Sequence, residues 1–243
     1  MPEITKNQLK HIRLLKQKKY RQEYGEFIVE GEKNVAELLN SNFTCIDLFA
    51  TEDWDNTHSS FEITKVTNKQ LSQISNLSSP NKVLAVAKLP SFEYTDSILN
   101  QELTLVLDTI NDPGNLGTII RTADWFGIKN IICSQDSVDC YNPKVVQTTK
   151  GSLFNVTVHY QDLAGILSQT KLPIYGAFLD GKEIAKNFEP QKPGILLMGS
   201  ESHGISAELE KLVTDKILIK QHGKAESLNV AIATSILLYQ FTS

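Results

Sequence analysis

The sequence is poor in the residues on which many recognisable chemistries depend. Its three cysteines, Cys45, Cys133 and Cys140, are too few and too scattered for a disulfide framework or a thiolate metal site. A reducing, cytoplasmic setting is the simplest expectation. The five histidines, His11, His58, His159, His203 and His222, show no ligand spacing, so no metal cofactor is expected. The most apolar stretch, Ile232 to Leu238, is too short for a membrane span and sits among polar residues. Charges occupy the N-terminus where a signal peptide needs an unbroken apolar core, so export is not expected either. A general basic excess is also missing. The net charge of −4 argues against a protein that coats nucleic acid indiscriminately.

What is present is an ordinary globular composition, 41% hydrophobic and 21% charged over 243 residues. That length suits one large domain, or a small domain joined to a medium one. The charge is unevenly spread. Residues 1–21 hold Lys6, Lys10, Arg13, Lys16, Lys18, Lys19 and Arg21 against the single acid Glu3, a local excess of seven minus one, or +6. Such a segment is either a solvated helix or a contact for phosphates, since each neutralised phosphate releases counterions. Charge alone does not choose between these.

Hydrophobic periodicity divides the chain. Asn7 to Gln17 has helical spacing, EFIVEG (Glu26 to Gly31) reads as a strand, and GEKNVAELLNS as a helix. CIDLFA (Cys45 to Ala50) is a strand, TNKQLSQISN a helix, and KVLAVAKL (Lys82 to Leu89) a strand. Residues 1–90 therefore form a small α/β domain. A polar stretch without clear period, 91–102, reads as a linker with a short helical turn. Beyond it, LTLVLDTI is a nearly continuous apolar run, as expected of a strand buried on both faces. NIICSQ, LFNVTVHY (Leu153 to Tyr160), PIYGAFL, GILLMG and DKILIKQ (Asp215 to Gln221) are further strands with helical patterns between several of them. Residues 103–243 thus read as a second domain with a mostly parallel sheet covered by helices.

Three loops after buried strands stand where open α/β sheets place their sites. The first is DPGNLGTIIRTADWFG, Asp112 to Gly127. Asn115 is a candidate cap for the helix that follows. On that helix Arg121 lies opposite the apolar face made by Ile119, Ile120, Ala123 and Phe126. The stretch fails the dinucleotide pattern, lacking the third glycine, and fails the P-loop pattern, lacking Gly-Lys-Ser/Thr. The second loop, GSESHGIS, brackets Glu201 and His203 with glycines. The third, QHGKAESLNV, leads into a helix from Leu228 to Phe241 that is apolar nearly all round, as expected of one packed on several sides, including a second subunit. Ser227 and Asn229 stand at its start as candidate caps.

In order, these loops spell N-x-G-x-x-x-R (Asn115 to Arg121), G-x-E-x-x-G (Gly199 to Gly204) and S-L-N-V (Ser227 to Val230). With them the chain resembles the SpoU/TrmH family of RNA ribose methyltransferases, within the SPOUT superfamily. NPKVVQTTKGSLF (Asn142 to Phe154) is similar to the family's connecting segment. FIVEGEKNVAELL is similar to the small RNA-binding domain, related to a ribosomal protein, that many members carry. The resemblance implies a trefoil knot in the C-terminal domain, a homodimer formed through that domain, and S-adenosyl-L-methionine as methyl donor. The acceptor it implies is a ribose 2′-hydroxyl in structured RNA, ribosomal RNA before transfer RNA.

It also implies roles for residues. Gly199, Ile219 and Leu228 match the positions that hold the cofactor, largely by backbone atoms. Arg121 matches the general-base candidate. Because arginine stays protonated in proteins, Arg121 either takes a proton in concert with methyl transfer or serves as a fixed cation for a ribose phosphate. Asn115, Glu201, Ser227 and Asn229 would orient Arg121, the ribose and the loops. Lys10, Arg13, Lys18, Lys19 and Arg21 would contact RNA. A non-catalytic RNA-binding or assembly factor of the same fold would show eroded motif residues, and here they are all present. One departure stands out: family members commonly have Ile-Pro-Met where this chain has Ile219-Lys220-Gln221.

Overall fold

The computed structural model describes residues 3–54, 61–100, 103–184 and 188–242. His58 and the last two residues of the expected linker, Gln101 and Glu102, lie outside these. The chain divides into two compact units, residues 1–91 with 139–155, and residues 92–138 with 156–243.

The first unit opens with α1 (Lys6–Leu14) and α2 (Lys18–Tyr24), followed by β1 (Glu26–Glu30), α3 (Glu32–Leu39) and β2 (Cys45–Ala50). Next come β3 (Ile63–Lys65), α4 (Asn68–Ile74) and β4 (Val83–Lys88). Capping boxes fix two helix starts, since Thr5 and Thr67 each accept from the backbone N–H three residues on, and Gln8 and Gln70 reach back. The single helix expected over Asn7–Gln17 ends at Leu14, and α2 is a second helix, stopped where Gly25 takes a φ of 69°. The sheet order is β1-β4-β2-β3. β4 sits between antiparallel β1 and β2 and buries Val83 through Ala87, while short β3 joins β2 in parallel. Ile12, Leu15, Ile28, Phe49, Leu71 and Ile74 fill the core between this sheet and α1 and α4.

The second unit contains β5 (Leu103–Leu107), α5 (Pro113–Trp125) and β6 (Asn130–Ser134). The chain then enters α6 (Pro143–Thr149), which belongs to the first unit. It returns through β7 (Thr157–Gln161), α7 (Leu163–Gln169), β8 (Ile174–Glu183), β9 (Gly194–Met198), α8 (Ala207–Glu210), β10 (Asp215–Leu218) and α9 (Val230–Thr242). All neighbours in the six-stranded order β10-β8-β9-β5-β6-β7 are parallel. The fold class read from the sequence is therefore the one observed. Central β5 buries every residue, as its apolar run requires. The expected linker contributes a 3-10 turn, Asp96–Asn100, whose Ile98 and Leu99 join the second core. β7 begins at Thr157 rather than Leu153, because Ser152–Phe154 forms a 3-10 turn, and β10 stops at Leu218, three residues short of expectation.

Residues 139–155 fall within the span 103–243 that the sequence assigns to the second domain, yet they pack in the first unit. Asp139 pairs with Arg21, Tyr141 packs its ring 4.8 Å from that of Phe27, Gln147 accepts from Asn34 Nδ2 at 3.0 Å, and Phe154 meets Phe43 edge-on. All these partners lie more than a hundred positions away, beyond the reach of local pattern. Among the described residues no helix is long and apolar enough to cross a membrane, and no group of acidic, histidine or cysteine side chains could hold a metal ion.

Candidate active site

A parallel sheet brings all its strand ends out on one edge, and this places the three sequence loops together. β5 and β9 are neighbours, and β10 lies two strands from β9. The loops after them, 108–112, 199–206 and 219–229, therefore leave from the same carboxyl edge.

Asp108 anchors the first two. It is buried at the end of β5, its Oδ2 accepts from Ser206 N at 2.7 Å, and its own N–H donates to Met198 O at 2.8 Å. Thr109 then takes a φ of 57° and donates its N–H to Ser134 Oγ. The sequence reading missed Asp108, although an acid ending an apolar strand was visible in LTLVLD. It also misplaced the cap of α5. Asp112 accepts from Asn115 N at 2.8 Å and is the N-cap, with Pro113 in the first turn. Asn115 lies three residues further on, inside the first turn, which frees its side chain.

That side chain joins the three motifs. Asn115 Nδ2 donates to Glu201 Oε1, and Asn115 Oδ1 accepts from Asn229 Nδ2 at 3.0 Å. Asn229 Oδ1 in turn accepts from the N–H groups of Ala231 and Ile232, capping α9. The relay accounts for the residue types. The group at 115 must donate at one end and accept at the other, which an amide does and a carboxylate or an aliphatic chain cannot.

The loop after β9 is a tight turn closed by reciprocal Ser200–Gly204 backbone bonds of 3.0 Å. A Cβ added at Gly199 would run into the backbone of Gly204 and Ile205, and Gly204 itself has a φ of 68°. Both glycines are thus dictated by geometry.

Arg121 is exposed on α5, on the side away from the buried Leu116, Ile119, Ile120 and Ala123. Its guanidinium has no partner among the described residues. Ser227 is exposed, Ile219 is half-buried, and Leu228 leaves 48% of its surface open. Between the end of β10 and the start of α9, Ile219 to Leu228 make no backbone–backbone hydrogen bond among the described residues. Their amides, and their carbonyls other than those of Gly223 and Ala225, which accept from Gln221 Nε2, are available to a ligand, and this donor set fits a nucleoside cofactor held by backbone atoms beside an apolar side chain.

The RNA-contact candidates behave differently. Lys10, Lys18 and Lys19 are exposed, and Lys19 Nζ lies 5.7 Å from the centre of the Tyr20 ring. Arg13 is exposed, with its guanidinium donating to Gln73 O and Oε1 at 2.9 Å. Arg21 corrects the sequence reading. It is only 2% exposed, pairs with Asp139 at 2.6 Å and donates to Leu15 O and Lys16 O at 3.0 Å. Its charge is consumed inside the unit. Cysteine chemistry is disfavoured at Cys45 and Cys133. Burial pushes the Cys133 thiol far up, and burial together with Asp47 pushes Cys45 to about 11.

Comparison with known proteins places this geometry. Residues 102–239 match the SpoU rRNA Methylase family, and residues 6–85 match the MRM3-like substrate binding domain. The chain is 28% identical to the 23S rRNA (guanosine(2553)-2'-O)-methyltransferase RlmP of Bacillus subtilis, over 98% of this chain and 97% of that protein. The solved structure of a TrmH-family protein from Porphyromonas gingivalis superposes with a TM-score of 0.85 at 37% identity, covering 98% of both chains. An AdoMet-bound rRNA methyltransferase from Sinorhizobium meliloti gives 0.85 at 30% identity, over 99% of this chain and 95% of that one.

Proposed function

The chain belongs to the SpoU rRNA methylase family, and from that premise we propose that its three-loop site methylates the 2′-hydroxyl of a ribose in structured ribosomal RNA. The observation that carries this reading is the Glu201–Asn115–Asn229 relay, which links one polar residue from each motif at the carboxyl edge of the sheet. S-adenosylmethionine supplies the methyl group on a positively charged sulfur. The sulfur–methyl bond breaks as the ribose oxygen–methyl bond forms, the electron pair stays on sulfur, and the ribose proton leaves.

Within this reading the protein contributes mainly alignment. The loop backbone at Gly199, Ile219 and Leu228 holds the donor. Asn115 and Asn229 fix the loops, and Glu201 and Ser227 face the acceptor ribose. Arg121 acts as a fixed cation that holds an RNA phosphate, keeping the hydroxyl in line and favouring loss of its proton toward that phosphate or solvent. Exposure and the absence of a partner among the described residues support this role over that of a base.

The first unit takes the RNA through Lys10, Lys18, Lys19 and Arg13, a reading supported by the match of residues 6–85. A homodimer formed through the second unit is part of the proposal. Ile232, Ile236 and Tyr239 form an exposed stripe on α9, and Trp125 on α5, a helix packed against α9, is 85% exposed. Knotted threading of the segment after β10 and action in the cytoplasm belong to the same reading.

The test is incubation of the protein with labelled S-adenosylmethionine and, separately, ribosomal and transfer RNA from cells lacking it. Label should enter ribosomal RNA and appear on ribose after digestion to nucleosides. Donor binding without label in either RNA sinks the proposal, and label on a base or in transfer RNA alone redirects it. Sedimentation of the free protein should give a dimer.

A further inference from the structure

Among the described residues, the loop from Ile219 to Leu228 makes no backbone–backbone hydrogen bond, so its shape must come from elsewhere. Two side chains near its start supply it. Lys220 Nζ donates to Glu183 Oε1 at 2.8 Å and ties the root of the loop to the end of β8. Gln221 Nε2 donates to Gly223 O at 3.1 Å and to Ala225 O at 2.6 Å. One amide group thereby closes residues 221–225 into a ring that ends two positions before Ser227. Asn229, after the ring, is held by Asn115. The loop is thus fastened at its root, folded on itself in the middle and pinned at its far end. The Pro-Met pair that stands here in the resembling family could supply neither side-chain bond, because neither residue carries a side-chain donor.

We propose that Gln221 is a positioning residue for the methyl donor, acting by holding the backbone of Ile219 to Leu228 in its binding shape, with the Lys220–Glu183 pair fixing the loop root. The proposal rests on the reading of this loop as the donor-binding segment. A loop without such a brace samples many conformations, and the apparent dissociation constant rises in proportion as the competent fraction falls.

The experiment compares the full chain with Gln221→Glu and Gln221→Met, using S-adenosylhomocysteine as probe. Ionised glutamate is nearly isosteric with glutamine, but it cannot donate and it sets a charge against two carbonyl oxygens. Methionine keeps the bulk and removes the donor. Both variants should bind the probe about tenfold more weakly at neutral pH, with an unchanged Tm. Without any ligand, their amides at 222–226 should exchange hydrogen faster than those of the native chain. Lowering the pH into the carboxylate range should restore part of the Gln221→Glu affinity, because the protonated acid regains one donor. Gln221→Met should show no such recovery. Native-like affinity in both variants overturns the proposal, whether or not exchange accelerates, and so does an equal loss without pH recovery in Gln221→Glu. A native chain that binds no S-adenosylhomocysteine overturns the donor-loop reading beneath it.

Discussion

Arg21 and Arg121 show how differently the two units use the same residue. In the first unit Arg21 is sealed from solvent, its donors shared among Asp139 and two carbonyls near the end of α1. In the second, Arg121 projects from α5 with no partner among the described residues. The first guanidinium has been fully spent on the fold. The second is left over by it, on the helix that also carries Asn115, and under the proposed function it is this charge that meets the anionic substrate.

The comparison breaks most sharply on activity. Arg121→Ala should cut single-turnover methyl transfer at least a thousandfold, about 4 kcal/mol. Its stability should hold, and affinity for the methyl donor should stay within about tenfold, or roughly 1.4 kcal/mol. A fully active variant would remove Arg121 from the site. Arg21→Ala should do the reverse. Leaving Asp139 and two carbonyls without their cation should cost about 3 kcal/mol in chemical denaturation, while transfer per folded molecule stays near native.

A third change separates fold from site within one side chain. Asn229→Asp keeps the acceptor that caps α9 but loses the donor to Asn115, so stability should change by less than about 1 kcal/mol while transfer falls about tenfold, the loss expected for one hydrogen bond of roughly 1.4 kcal/mol. Equal losses in both would merge the two roles. The smallest effect is expected from Lys10, Lys18 and Lys19 changed together to Gln. RNA binding should weaken several-fold at moderate salt, and its slope against log salt should flatten by about 2 to 3. An unchanged slope would return these lysines to the solvated surface.

Most of the architecture could be read from periodicity. The nearly continuous apolar run of LTLVL pointed to a strand covered on both faces, and the structure puts it inside the parallel sheet. The polar members of the three motifs were also legible, because their types and order are so unusual together. What local pattern could not reveal was who satisfies whom. Asn115 looked like a helix cap, but Asp112 takes that place and turns Asn115 into a connector. Arg21 looked like its basic neighbours, since the carboxylate that pairs with it lies 118 positions away. β3 carries only three residues, too few to show a period. Gln221 read only as a departure from the family pattern until its bonds to Gly223 and Ala225 gave the departure a use.

The excursion of residues 139–155 has a consequence for how such a protein can be taken apart. A cut at the boundary near residue 91 does not free an intact first unit, because Asp139, Tyr141, Gln147 and Phe154 remain on the other fragment. The shorter piece would keep Arg21 without Asp139, Phe27 without the ring of Tyr141 and Phe43 without that of Phe154. The longer piece would carry α6 and its flanking residues without the first-unit side chains they pack against. In modular terms the first unit is stitched rather than appended.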